Sequence, residues 1–180
     1  MPLPRLGALE SLPALSHPEL LAPSVHEALQ AWPLAGDVAV VEIDPAHADT
    51  AAMSAAYDVP MAAGANCVVI MGKREGEERV AACVVRADTR ADVNNLVKHT
   101  LDVRKCSFLS MERAVEESGM EYGGITPLGL PAAWRVMVDS ACLEMEAAVI
   151  GSGVRRSKLL VPGRLLGELP GGEVVAGLGR

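Results

Sequence analysis

The ten residues Tyr122-Gly123-Gly124-Ile125-Thr126-Pro127-Leu128-Gly129-Leu130-Pro131 constrain this chain more than any other stretch. Glycine admits positive φ and lets a ligand approach the main chain closely, whereas proline fixes φ and removes a donor. A loop carrying three of the first and two of the second is stiff and shaped. On composition alone it is a tight turn between two elements; the order of its residues says more, once the rest of the chain is laid beside it.

Alternating and β-branched runs predict strands over Asp37–Ile43, Asn66–Met71, Arg79–Arg86, Lys105–Leu109, Arg135–Asp139, Ala147–Ile150 and Lys158–Val161. The polar connection Gly72–Glu78 makes the second and third a hairpin. Helices are predicted after Ser24 towards Trp32, from Asp44-Pro45 through Tyr57, over Ala91–Thr100 with Thr89 or Asp88 as cap, and over Met111–Ser118 between Ser110 and Gly119. Pro162 opens a short helix through Leu165-Leu166, and Gly171–Arg180 suits a last strand or arm. Residues 1–16, rich in Pro, Leu and Ala, read as a loosely attached arm. The division expected is 1–30 as N-terminal arm and helix, and 31–180 as one domain. This order predicts a mixed α/β (α+β) fold with a largely antiparallel sheet.

The 180 residues are enough for a proper core, and half are hydrophobic. With aromatics at 3% and a single phenylalanine, that core must be aliphatic. No apolar run reaches membrane-span length, and the first residues lack a signal-peptide layout, so the expectation is cytoplasmic, with no membrane partner. Cys67, Cys83, Cys106 and Cys142 are scattered, with no C-x-x-C pair and no histidine nearby in sequence, so no metal and no cofactor are expected. The net charge is −7, and residues 1–60 hold eight acids against one base, Arg5. Gly151–Arg164 instead carries Arg155, Arg156, Lys158 and Arg164 without an acid, and Lys98, Arg104 and Lys105 form a second basic group. Such stripes can grip a few phosphates even on an acidic protein, although a solvated face is the commoner reason for them.

Familiar catalytic arrangements are weak here. No cysteine is placed near His99 or His47 by sequence, and Ser152 in Gly151-Ser152-Gly153 lacks the outer residues of a G-x-S-x-G elbow. Gly151-x-Gly153-x-x-Arg156 lacks the third glycine of a dinucleotide fingerprint. Glu116, Glu117 and Glu121 decorate a helix and its exit.

Gly123-Gly124-Ile125-Thr126-Pro127-x-Gly129 resembles the signature loop of the YbaK family, the free-standing relatives of the editing domain of bacterial prolyl-tRNA synthetases; Gly123 and Pro127 match its GxxxP element. Ala148–Arg156 is similar to the family's strand followed by S-G-G-K-R-G, and Arg90–Leu96 and Val103–Leu109 resemble its D-L-K-K-L and K-K-V stretches. The resemblance runs in one order over residues 37–169. It implies a curved, partly closed β-barrel surrounded by helices and the activity of an aminoacyl-tRNA deacylase. The implied partner is the tRNA 3′ end rather than DNA, with an aminoacyl-tRNA synthetase left open as a second.

Hydrolysis of an aminoacyl ester needs a positioned water and a held carbonyl, for which main-chain amides suffice. The amides of Gly124, Ile125 and Thr126 are therefore expected to face one small ligand, with Gly123 and Gly124 supplying the dihedrals. The resemblance also implies that the substrate's ribose hydroxyl helps orient the water. Pro127 stiffens the loop, and Gly151, Ser152 and Gly153 form a turn against the ligand. Arg155 stands where the family has a basic residue and suits a phosphate of the tRNA 3′ end, or else pairs with an acid on the surface.

One departure matters: Asn66 stands where the family has a pocket lysine, and asparagine orients groups without bringing charge. Lys158 falls near a position where some relatives carry an acid. The readings left open are a trans-acting deacylase for a small mischarged amino acid on a tRNA of the proline type, a tRNA- or ligand-binding module that has lost catalysis with the lysine, and an enzyme on another small ester or amide.

Overall fold

The computed structural model describes residues 2–180. Its strands form two sheets. In the first, β1 (Leu12–Pro13), β2 (Ala39–Glu42), β8 (Ser157–Val161) and β7 (Ala148–Gly151) lie in that order, all antiparallel. In the second the order is β5 (Cys106–Phe108), β3 (Ala65–Arg74), β4 (Glu77–Arg86), β6 (Arg135–Asp139) and β9 (Gly172–Val175). Here β3 pairs antiparallel with both neighbours, but β6 runs parallel to β4 and to β9. The mixed α/β class and the mainly antiparallel pairing agree with the sequence. The partly closed barrel does not: between the sheets the described residues make one isolated bridge, Gly64 to Val149.

The main core fills the space between the sheets. Val40, Ile150, Leu159 and Val161 meet Val84, Val136 and Val138, and Val25, Leu29 and Trp32 of helix α1 (Pro23–Ala31) with the turn after it close one side. A second cluster on the other face of the larger sheet joins Ile70, Cys83, Val85 and Met137 to Val97, Leu101 and Leu178. Buried on both faces, β4 reads as a continuous apolar run from Val80 to Val85. As the composition required, the packing is aliphatic.

Several local expectations are corrected. The hairpin turn is two residues, Glu75 and Gly76, with φ of 52° and 83°, so β3 and β4 extend to Arg74 and Glu77. That is the primed geometry whose twist matches the strands. Helix α2 (Thr50–Tyr57) starts later than expected, capped by Asp49, whose carboxylate accepts from the Ala52 amide. Asp92, not Thr89 or Asp88, caps the next helical segment, which is a π turn over Val93–Val97 running into the short α3 (Lys98–Thr100). Its carboxylate accepts from Leu96 N and Asn95 Nδ2 and pairs with Arg180. That widening trades i→i+4 bonds for an Asp92–Val97 bond. α1 begins at Pro23, with Ala22 as its cap in place of Ser24. Helix α4 (Met111–Ser118) is as expected, from the Ser110 cap to Gly119 at φ 68°.

The first sixteen residues are not a loose arm. β1 pairs with β2, Ala8 N donates to Tyr57 O, and Leu9 and Ala14 are buried. Residue 30 itself lies inside α1.

Candidate active site

Where Gly64 and Val149 bridge the sheets, a cavity of about 310 Å³ opens. β3 contributes Asn66 and Val68, the end of β7 contributes Ile150 and Gly151, and β8 contributes Lys158. Asp49 and Thr50 reach it from the start of α2, and Tyr122, Gly123 and Ile125 from the glycine-proline loop. The floor is apolar, with Met53, Ala65 and Val149.

The loop takes its shape from close packing against the β7–β8 turn. Gly123 sits at φ +80°. A side chain at Gly151 would come within 2.4 Å of Gly124 O and 2.6 Å of Ile125 O, so only glycine lets the strand end lie this near the loop. The two are laced together: Gly153 N donates to Gly124 O, and Glu121 N donates to Gly153 O. The Glu121 carboxylate accepts the Arg155 amide at 2.6 Å.

Of the residues singled out in the sequence, Asn66, Gly123, Ile125 and Gly151 line this cavity. Gly124, Thr126 and Pro127 are buried behind it. The expected fan of amides is therefore reduced, because Gly124 N donates to Glu121 O within the loop. Ser152 is fully buried, its hydroxyl bonded to Ser157 Oγ at 2.7 Å and to the carbonyls of Val154 and Ser157, so it holds the turn rather than a ligand. Gly153, at φ +85°, packs against Ala22. Among the described residues the Arg155 guanidinium pairs with no acid. Its guanidinium donates to Tyr122 O and Pro45 O and lies over the Tyr122 ring, tying the loop to the segment before α2.

The residue that sequence reasoning named but left out of the site is Lys158. It is 8% exposed, and its Nζ donates to Gly123 O at 3.0 Å beside the cavity it lines. Burial lowers its pKa to about 8; the Arg155 charge pushes the same way and Asp49 opposes both. A lysine in a run otherwise apolar, Leu159-Leu160-Val161, on a central strand was the available signal. Strand alternation puts Lys158 opposite Gly151, where no side chain fills the space. Across the cavity Asn66 Oδ1 accepts from Thr50 Oγ1 at 2.9 Å, leaving the Asn66 Nδ2 donor without a protein partner among the described residues.

This set can hold a small polar-headed group: an ammonium from Lys158, a carboxylate from Asp49, an amide from Asn66 and an apolar floor. It offers no thiolate. Burial pushes Cys67, which also lines the cavity, well above the ordinary thiol range, and pushes Cys83 and Cys142 up to about 12. Among the described residues no His, Cys, Asp and Glu group of three could hold a metal ion, and no helix is long and apolar enough to cross a membrane.

Residues 44–168, which include every residue lining the cavity, match the family profile described as an aminoacyl-tRNA editing domain. Among solved structures, the hypothetical protein APE2540 superposes with a TM-score of 0.75 at 22% identity, covering 87% of this chain and 99% of its own. A candidate trans-editing enzyme for prolyl tRNA synthetase does so with a TM-score of 0.72 at 19% identity, covering 86% and 94%. At these identities the structures share the fold, while the profile match spans well over half of the chain. The protein belongs to the aminoacyl-tRNA editing domain family.

Proposed function

We propose that this protein is a trans-acting aminoacyl-tRNA deacylase that removes a small, wrongly attached amino acid from a tRNA of the proline type. The observation that carries the reading is Lys158, a buried ammonium that lines the same cavity as Asn66. An ammonium in the cavity, supplied from β8, supports a catalytic site over a binding module left without charge.

In the chemistry proposed, the aminoacyl group enters with its side chain on the Met53 and Val149 floor and its α-ammonium towards Asp49. Water adds to the ester carbonyl carbon, the bond to the ribose oxygen breaks, and that oxygen leaves with a proton. Lys158, one donor engaged by Gly123 O, turns its others to the carbonyl oxygen and stabilises the charge that develops there. Asn66 Nδ2 orients the neighbouring ribose hydroxyl. The small volume admits side chains of alanine, serine, cysteine or proline size, and methylene-sized differences among them are worth only about 1–3 kcal/mol.

The test is release of labelled amino acid from alanyl-, cysteinyl- and seryl-tRNA(Pro). Hydrolysis of one of these, lost in Lys158→Met, is the expected result. A folded protein that binds tRNA and hydrolyses none of them would overturn the enzymatic reading.

A further inference from the structure

A second cavity, of about 670 Å³, adjoins the first and shares two wall residues with it, Asn66 and Val68. Its size lies within the roughly 300–1,000 Å³ of pockets that enclose small ligands. The wall is built from the edge strand β5, with Ser107 and Phe108, from Arg90 ahead of the π turn and from Asn94 within it. Phe108 is the one phenylalanine of the chain, and it is 65% exposed. A lone exposed apolar residue is ordinary; an aromatic face on a cavity wall, among polar amides and cations, is a different case.

Several cations around it are free of ion pairs. Arg74, Arg79, Arg86, Arg113, Arg135, Arg164 and Arg180 all pair with carboxylates. Arg90 on the cavity wall, Lys98, whose charge acts on the wall residue Cys106, and Lys105 beside β5 have no ion pair among the described residues. Asn94 is exposed with its amide unengaged, whereas its neighbour Asn95 is bound to Asp92. A stacking face, an unengaged amide and unpaired cations are together the equipment of a nucleotide site.

We propose that this second cavity holds the terminal adenosine of the tRNA, its base stacked on Phe108 and read by Asn94, and its phosphate facing Arg90 and Lys98. The ester then crosses the shared wall at Asn66, with the amino acid in the first cavity. The inference rests on the deacylase reading, since it is the ester that joins the two cavities.

The experiment uses the full chain, with AMP and the trinucleotide CCA as probes in calorimetric titration, and with alanyl-tRNA(Pro) and alanine ethyl ester as substrates. In Phe108→Ala the affinity for AMP and CCA should fall about tenfold, within the roughly 5- to 150-fold that one base–aromatic stack supplies. The preference for aminoacyl-tRNA over the ethyl ester should fall by a similar factor, through KM more than kcat. Asn94→Ala should do the same more weakly and serves as the second variant, with denaturation curves confirming that both fold. Unchanged probe affinity and unchanged preference in both variants would overturn the subsite and leave the deacylase intact. Dissociation of a dimer by Phe108→Ala with probe binding untouched would also overturn it. Probe binding lost in Phe108→Ala by a protein that hydrolyses no aminoacyl-tRNA would instead sustain the subsite and sink the deacylase reading.

Discussion

An ammonium is expensive to bury, and Lys158 is held where its own pKa falls to about 8 against an ordinary 10.5. At about 1.4 kcal/mol per pH unit, keeping it charged there costs on the order of 3 kcal/mol of folding free energy at neutral pH. Between pH 8 and 10.5 the unfolded chain binds the proton that the folded chain has released. Stability therefore rises with pH across that window, and the full penalty applies below it. Lys158→Met should thus stabilise the protein at pH 7 by about 1–2 kcal/mol, the Gly123 carbonyl losing its donor in partial offset. It should also flatten the rise in stability above pH 8, as urea denaturation at pH 7 and pH 10 would show. Activity should move the other way, with kcat down about 10²-fold, the scale of one lost oxyanion donor. With the cation as the active form proposed above, the ratio of native to variant rate should shrink as pH passes 8. A ratio that grows there would make Lys158 a base instead. The exchange Asn66→Lys with Lys158→Asn is a sharper probe. If the cavity needs one cation from either strand, the double variant should recover at least a tenth of the rate that Lys158→Asn loses; no recovery would show that the position on β8 is essential.

At the scale of elements, the loop and the β7–β8 turn act as one unit, and the turn supplies the constraint. Gly151→Ala would drive a methyl to 2.4 Å from Gly124 O, so the loop must retreat from the cavity. The expected outcome is a loss of about 1–3 kcal/mol in stability, typical of overpacking, with activity falling further than Tm alone explains. Wild-type activity in a folded Gly151→Ala protein would remove the loop from the chemistry. Gly124→Val is a poorer test, since its first side-chain carbon would meet Val154 N at 2.8 Å and disturb packing rather than the ligand. The loop, α4 and most strands were legible because glycine, proline, caps and alternation are local signals. The Ala91–Thr100 segment was legible as helical, but its cap and π turn were not: Asp92 holds Leu96 N and Asn95 Nδ2 while also meeting Arg180, a contact 88 positions apart that no local pattern carries. Lys158 was seen only as part of a basic stripe, because its place in the cavity shows only when Gly151 is found opposite it. The N-terminal arm looked loose by composition, yet β2 had a free edge to fill, and β1 fills it.

For the whole molecule, the question is how a chain of net charge −7 engages a polyanion. Most of its arginines are neutralised in place by carboxylates, so net charge is a poor guide to the field that a tRNA end meets. Arg90, Lys98 and Lys105, which make no ion pair among the described residues, lie around the second cavity, whereas Arg155 is tied to the carbonyls of Tyr122 and Pro45. Binding through the first set engages about three phosphates of a single strand. The logarithm of affinity should then fall with the logarithm of salt at a slope near −2. Between 50 and 200 mM salt that is a loss of about fifteenfold. Charge reversal at Lys98 and Lys105 should flatten the slope by at least 1, while Arg156→Glu, on the opposite basic stripe, should leave it within experimental scatter. A slope that responds to Arg156 and ignores Lys98 and Lys105 would mean that the acceptor strand approaches from the β8 side, with the ester entering past Tyr122 rather than over Asn66.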